Sequence, residues 1–396
     1  MTANKERLMR QEVRVTVRLF GVGDVFPNVE DGRGAFRHLS PVLRKADLVV
    51  GNCEGVYSDL AYPAPSHKHP MIAPRARGAT LGEAPFHLLS CANNHAMDGG
   101  FEGLSDTIDL LAAQGIAVTG AGKDLGQATA ATILERGGTR IAFLGFCSVF
   151  PVGYEARPAR PGIAAIRVRT FYADPDRNFW EPGIAPAIFT EPVEEDLQMA
   201  ARALERARAE ADIVVALCHW GYSSWLEVLQ DYELRLARYI VDHGADIVLC
   251  CHHHSLRGVE FRDRRPIFYG LGSLVHHLRI PAMTPEEAAR RRARGAANMP
   301  AGGAEFPLFP FHPDARMTGI ATFDVAAEGS LTAGFIPAMI MPDGSTEPLS
   351  PGDPRAGAVA DYLERITRER GFTTKFSRGQ WEGVMQIEVA PGEGGR

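Results

Sequence analysis

The chain has 396 residues, of which 45% are hydrophobic and 23% charged, with a formal net charge of −6. Those proportions are globular, and the length allows one large core or two ordinary ones. The mild negative charge, with no strongly basic half, argues against a nucleic-acid partner, and the lack of a run of about 18 apolar residues argues against a transmembrane helix.

The opening MTANKERLMRQEVRVTVRLF carries no apolar stretch of signal-peptide length. VRVTVRLFGVGD reads as a strand ending in a Gly-rich turn, GAFRHLSPVLRKA as a helix, DLVVGN as a second strand and FHLLSCANNH as a third running into a polar loop. GFEGLSDTIDLLAAQGI has helical spacing, with Leu104, Ile108 and Leu111 on one face. Residues 151–190 break the rhythm with Pro, Arg and aromatics; before and after them come the strand TRIAFLGFC and the helix VEEDLQMAARALERARAEA. The strand DIVVALCHWG, the helix LQDYELRLARYIVDHGA, the strand DIVLCCHHH and the run RRPIFYGLGSLV complete an alternation that implies an α/β fold with a largely parallel sheet. Residues 280–316 combine a basic helix-like piece with a Pro- and Phe-rich loop; like 151–190, such a segment suits a lid, an oligomer contact or disorder, and the arginines of 290–294 a solvated face rather than a substrate site. The run MTGIATFDVAAEGSLTAGFIPAMI reads as a hairpin around Glu328-Gly329, so the sheets are expected to be mixed. Cys53, Cys91, Cys147, Cys218, Cys250 and Cys251 lie in or just after apolar runs and read as reduced core residues of a cytoplasmic protein.

Ligands of parallel α/β sheets bind beyond the carboxyl ends of the strands. Here those ends carry Gly23-Asp24, Asn52-Cys53-Glu54, Asn93-Asn94-His95, His219-Trp220-Gly221 and His252-His253-His254. Each alone reads as a turn, a cap or a core histidine. Together they put one chemical class at one topological place: an oxygen and nitrogen donor shell suited to Mn²⁺, Fe or Zn²⁺, and to two ions if one carboxylate bridges. In an extended backbone, residues two apart share a face. His252 and His254 are therefore expected to face such a site, with His253 turned away to pack, and Cys250 and Cys251 to be buried strand residues.

In this order the motifs resemble the CapA (poly-γ-glutamate capsule biosynthesis) family of the calcineurin-like metallophosphoesterase superfamily. The resemblance runs from about residue 17 to 277 and is carried by SCANNHAMDGGFEGLSDTIDLLAAQGIAVTGAGKDLGQA, RPGIAAIRV, ALCHWGYS and RRPIFYGLGSLV. It implies a four-layer αββα sandwich with mixed sheets and two metal ions. Residue by residue, it implies Asp24 on the first ion, Glu54 as the bridging carboxylate, Asn94, His219 and His252 on the second ion, and His254 on the first. His95 would be the uncoordinated histidine that protonates a leaving group or steadies a developing negative charge. On this reading residues 1–12 are a tail, 13–345 the metallophosphoesterase-like domain with insertions at 151–190 and 280–316, and 346–396 a helical extension packed on it. The chain departs from the family pattern at Ser223, where a Glu is usual after HWG, at Cys250-Cys251-His252-His253-His254, which lacks the usual Gly and Pro, and at Ser273, where SLGN has Asn. The ligands are intact; the rim is altered.

Three functions fit. The first is a soluble dinuclear metal-dependent hydrolase of a phosphoester or amide-type bond in a small or short-polymer anionic substrate. The second is acyl or amide transfer, ligation or cyclisation in a specialised or polyglutamate-type pathway, without any Walker-type Gly-Lys-Ser/Thr motif to bind ATP. The third is a polymer-binding protein with a vestigial site, against which the full ligand set argues. Asn52, Lys68, His69, Arg75 and Ser223 are candidates for contacting substrate, and either His276 or His277, after GLGSLV, for reaching the site. No membrane anchor is expected, and homo-oligomerisation stays open.

Overall fold

A computed structural model describes residues 16–30, 34–65, 69–174, 185–222, 227–278, 286, 289–290, 305–326 and 329–392. The chain opens with β1 (Val17–Phe26), β2 (Leu48–Cys53) and β3 (Leu88–Ser90), passes through helix α1 (Gly100–Ala113) and returns as β4 (Ala117–Thr119). These four strands are parallel neighbours. α1 buries Leu104, Leu110 and Leu111 on one face, and Ile108 packs partly buried against the same core, as the helical spacing predicts. The helix expected around GAFRHLSPVLRKA is a single turn, Ser40–Leu43. Pro41 lies in that turn, where its missing N–H is tolerated, and turns on both sides replace further helix.

The chain then crosses to a second sheet. β5 (Thr132–Arg136) and β6 (Thr139–Cys147) form a hairpin, and α2 (Glu194–Glu210) leads to β7 (Ile213–His219). α3 (Asp231–Asp242) leads to β8 (Ile247–Cys251), and β9 (Val259–Arg262) and β10 (Arg265–Phe268) close the sheet in the order β9-β10-β8-β7-β6-β5. α2 starts with Glu194, Glu195 and Asp196, which complement the positive end of its dipole.

The last third returns to the first sheet. β11 (Ser273–His276) pairs parallel with β1, and β12 (Met317–Val325) and β13 (Leu331–Ile340) form the expected antiparallel pair beside it. β14 (Thr346–Pro348), helix α4 (Pro354–Glu369), β15 (Lys375–Trp381) and β16 (Val384–Ala390) follow. The region expected as a helical extension thus holds one helix and a hairpin whose β16 pairs with β13. Its alternation buries Met385, Ile387 and Val389 against the body, which a period of two does and a helix would not.

Three apolar clusters show the layers. One joins α1 to the outer face of the first sheet through Phe20, Val49, Leu89, Leu104 and Leu111. A second lies between the sheets, with Leu19, Leu48 and Val50 meeting Phe143, Val215, Ile247 and Leu249. The third seats α2 and α3 on the outer face of the second sheet through Leu204, Leu236, Ile240, Val214 and Val248. The architecture is an α/β sandwich of two mixed sheets. All six cysteines are buried and none is in a disulfide. Among the described residues no helix is long and apolar enough to cross a membrane.

Candidate metal centre

The first strand does not stop at Asp24, as its Gly-rich turn predicts, but continues to Phe26. The Asp24 N–H donates to the Gly272 carbonyl at 3.1 Å, and Val25 and Phe26 then pair with Val275 and His276. The register slips on both sides of Asp24, so the strand bulges where the carboxylate emerges. Gly23 permits this contact: a Cβ there would lie 1.8 Å from the Gly272 carbonyl oxygen. Glu54 follows the end of β2, tied by its N–H to the Val25 carbonyl at 3.1 Å.

Two amides brace the carboxylates. Asn52 donates to Asp24 Oδ1 at 2.8 Å, and Asn93 donates to Asn52 Oδ1 at 3.1 Å and to the Cys53 carbonyl at 2.7 Å. Asn93 Oδ1 accepts from the His95 N–H at 3.0 Å. The Asn52 amide, placed by sequence among substrate contacts, is thus spent on a buried carboxylate. Asn94 is aimed differently, with Oδ1 2.6 Å from His219 Nε2. That contact is closer than two donors sharing one ion would sit.

Two donor groups meet at Glu54. On one side, His219 Nε2 lies 3.5 Å from Glu54 Oε1 and 3.1 Å from His252 Nδ1. On the other, Glu54 Oε2 lies 3.2 Å from His276 Nε2 and 3.8 Å from His254 Nδ1, which is 3.4 Å from Asp24 Oδ2. Donors around a tetrahedral ion at about 2.1 Å stand roughly 3.4 Å apart. Both oxygens of Glu54 are buried and lack a hydrogen-bond donor among the described residues. A buried carboxylate left so is costly unless cations take the donors' place. The residues therefore fit bound metal, with Glu54 shared by the two donor groups.

Electrostatics agree in direction. Burial, then the neighbouring Asp24 charge, pushes the Glu54 carboxyl well above its usual range. Burial alone would raise Asp24 too, but the His254 hydrogen bond brings it below the ordinary carboxylate range. Burial lowers His219 to about 3 and His276 to about 4, and takes His252 well below its ordinary value. His219, His252 and His276 are thus held neutral, as metal ligands must be.

His252 and His254 reach the cluster by another route than strand alternation. β8 ends at Cys251, and the backbone turns left-handed at His252 (φ 97°) and His254 (φ 53°). His253 faces away, with Nε2 2.8 Å from Glu233 Oε2. Gly221 clears this pair: a Cβ there would fall 1.9 Å from His253 Nε2. Cys251 Sγ lies 3.2 Å from His219 Nδ1, the ring nitrogen turned from Glu54, and burial and then Asp24 push its thiol well above the usual value. His95 sits beside the cluster, its Nδ1 2.6 Å from Asp98 Oδ2. Asp98 also accepts from the Met71 N–H at 2.6 Å and the Tyr154 hydroxyl at 2.7 Å, so His95 Nδ1 carries the proton in that bond.

Other candidates do not join the cluster. Arg75 is ion-paired with Asp106 on α1, and His69 is exposed. Lys68, Ser223 and most of 280–316 lie outside the described residues. His277 turns off, with Nδ1 accepting from the Asn28 N–H at 3.2 Å and Nε2 3.0 Å from the Gly344 carbonyl. His276 is the neighbour that reaches Glu54. Alternation from Ser273 would select His277; the extra residue Leu274 in the β1–β11 register reverses that choice.

The chain is similar to known bacterial proteins. The sequence model of the family described as bacterial capsule synthesis protein PGA_cap matches residues 7–277. The PGA biosynthesis protein CapA of Bacillus subtilis (strain 168) is 31% identical over 264 residues, 64% of this chain and 62% of that protein. The capsule biosynthesis protein CapA of Bacillus anthracis is 28% identical over 280 residues, 69% of this chain and 59% of its own length. The match thus spans about three fifths of each relative. A solved structure of a hypothetical protein from Thermus thermophilus aligns with 81% of this chain and 99% of its own at 18% identity, with a TM-score of 0.39. The chain belongs to the CapA family of bacterial capsule synthesis proteins, and through it to the metallophosphoesterase superfamily.

Proposed function

We propose that this protein is a dinuclear metal-dependent hydrolase of a phosphoester or amide-type bond in a small or short-polymer anionic substrate. The observation that carries the reading is the buried Glu54 carboxylate, without a hydrogen-bond donor among the described residues and with imidazoles on both of its oxygens. Asp24, Glu54, Asn94, His219, His252 and His254 would hold Mn²⁺, Fe or Zn²⁺. When bound, such ions supply Lewis acidity and lower the pKa of water towards about 7. Asn52 and Asn93 keep the carboxylates oriented, and Asp98 fixes the tautomer and direction of the His95 ring. With Nδ1–H given to Asp98, His95 Nε2 is the atom that would pass a proton to the leaving group once it carries one. Two cations among buried imidazoles would favour an anionic substrate over a cationic one.

A second reading, amide formation or acyl transfer in polyglutamate-type biosynthesis, draws on the names of the relatives, which are PGA and capsule biosynthesis proteins. The same donors would serve it, with an amine in place of water as acceptor.

His95→Asn tests the reading. The variant should keep its metal and melting temperature, while kcat falls by roughly 10²–10⁴-fold, less for a substrate with a better leaving group. Equal losses for good and poor leaving groups, or loss of metal with activity, would reduce His95 to a brace.

A further inference from the structure

We propose that His276 is a metal ligand, completing with Asp24, Glu54 and His254 a closed four-donor site that holds one ion more tightly than the other position. The inference rests on the dinuclear reading above. His276 is 2% exposed, and neither ring nitrogen has a hydrogen-bond partner among the described residues. Its Nε2 is 3.2 Å from Glu54 Oε2, itself without a donor. Two buried, unsatisfied polar groups facing each other in an apolar wall are costly, and a cation between them satisfies both. The wall is made of rings: His276 lies among Phe26, Phe311 and His254, with centroids 6.3, 6.2 and 4.8 Å away, and Phe311 stands 4.6 Å from the His254 ring.

The two positions therefore differ. The Asp24–Glu54–His254–His276 side is walled by aromatic rings, and its donor spacings of 3.2–3.8 Å suit four-coordination. The Asn94–His219–His252 side includes two residues, Asn94 and His252, that are only partly buried. A closed shell suits a retained ion, and an open one leaves a coordination place for substrate. Ser273 Oγ, 3.1 Å from His254 Nδ1, is the competing partner for that nitrogen and would have to release it.

The test uses the full chain loaded with Co²⁺. Four-coordinate Co²⁺ absorbs visible light far more strongly than six-coordinate Co²⁺, because it lacks a centre of symmetry. The first equivalent added to the unaltered protein should give the intense spectrum, and one ion per chain should survive dialysis against a weak chelator. His276→Gln and His276→Phe should lose that retained ion, with affinity at least about 10-fold lower, while circular dichroism stays unchanged. A weak, six-coordinate first spectrum overturns the proposal whether or not the variants fold. Equal retention by the unaltered protein and folded variants overturns it too, leaving the dinuclear reading standing. No Co²⁺, Mn²⁺ or Zn²⁺ bound by the unaltered protein overturns both.

Discussion

His252 and His253 are adjacent yet do unlike work. His252 Nδ1 faces His219 across the donor cluster, whereas His253 is buried against Glu233, which also accepts from the Gln230 N–H at 2.8 Å and so caps α3. Replacing His253 by Ala leaves a fully buried carboxylate short of its donor, and should cost about 2–4 kcal/mol in urea unfolding. His252→Ala should lose metal affinity with a much smaller change in metal-free stability. Equal metal losses in the two variants would contradict the assignment. Gly221→Ala should resemble His253→Ala, because φ is 104° there and the new Cβ would meet His253 and Glu233. Its expected loss is at least the ~1–3 kcal/mol of an overpacked core, read as a shifted urea midpoint.

At the scale of elements, the β15–β16 hairpin completes the first sheet. β16 pairs with β13 through Ala333–Val389, Gly334–Glu388 and Phe335–Ile387, and Ile387 and Val389 enter the core between the sheets. Trp381 on β15 lies edge-on to Phe20 of β1 at 5.6 Å, and the Arg18 guanidinium sits 4.8 Å from the Trp381 ring. Ile387→Ala should therefore cost about 2–5 kcal/mol. Ending the chain before Lys375 should do more, because it uncovers one edge of β13 as well as apolar area. Chemical denaturation and light scattering check both. A truncated chain as stable and monodisperse as the full one would show that the hairpin is an appendage.

For the whole molecule, the buried imidazoles set the response to pH. Burial lowers His95, His219, His252, His253 and His276, with His219 at about 3 and His276 at about 4. Unfolded histidines take up protons near pH 6.5, so below that the unfolded chain binds more protons than the folded one. Stability of the metal-free protein should thus fall as pH drops from about 6.5 towards 4.5, by up to about 1.4 kcal/mol per pH unit for each of His219 and His276. Glu54, raised in the fold, acts in the opposite sense, its contribution shrinking as pH rises from the ordinary carboxylate value. Five groups outweigh one, and thermal melts across this range should slope downward on acidification. A flat profile would mean the imidazoles are solvated. Metal loading should raise the melting temperature, by the equivalent of about 2.7 kcal/mol at 100 times the dissociation constant, and a strong chelator should reverse the gain.

The alternation of β and helical patterns, the helices over 100–113, 194–210 and 231–242, and the donor residues at strand ends are all legible along the chain. They depend on local periodicity and on residue types that sit together in short motifs. Tertiary structure alone decided the rest. The bulge at Asp24 and the extra Leu274 select His276 over His277, because a one-residue slip between distant strands exchanges the faces of every following side chain. Asn52 became a brace because Asp24 lies opposite it in the β1–β2 register. His252 and His254 were placed by left-handed backbone after β8, which no alternation describes. Motifs name the donors, but where each points is set by register and by turns closed through contacts far away in the chain.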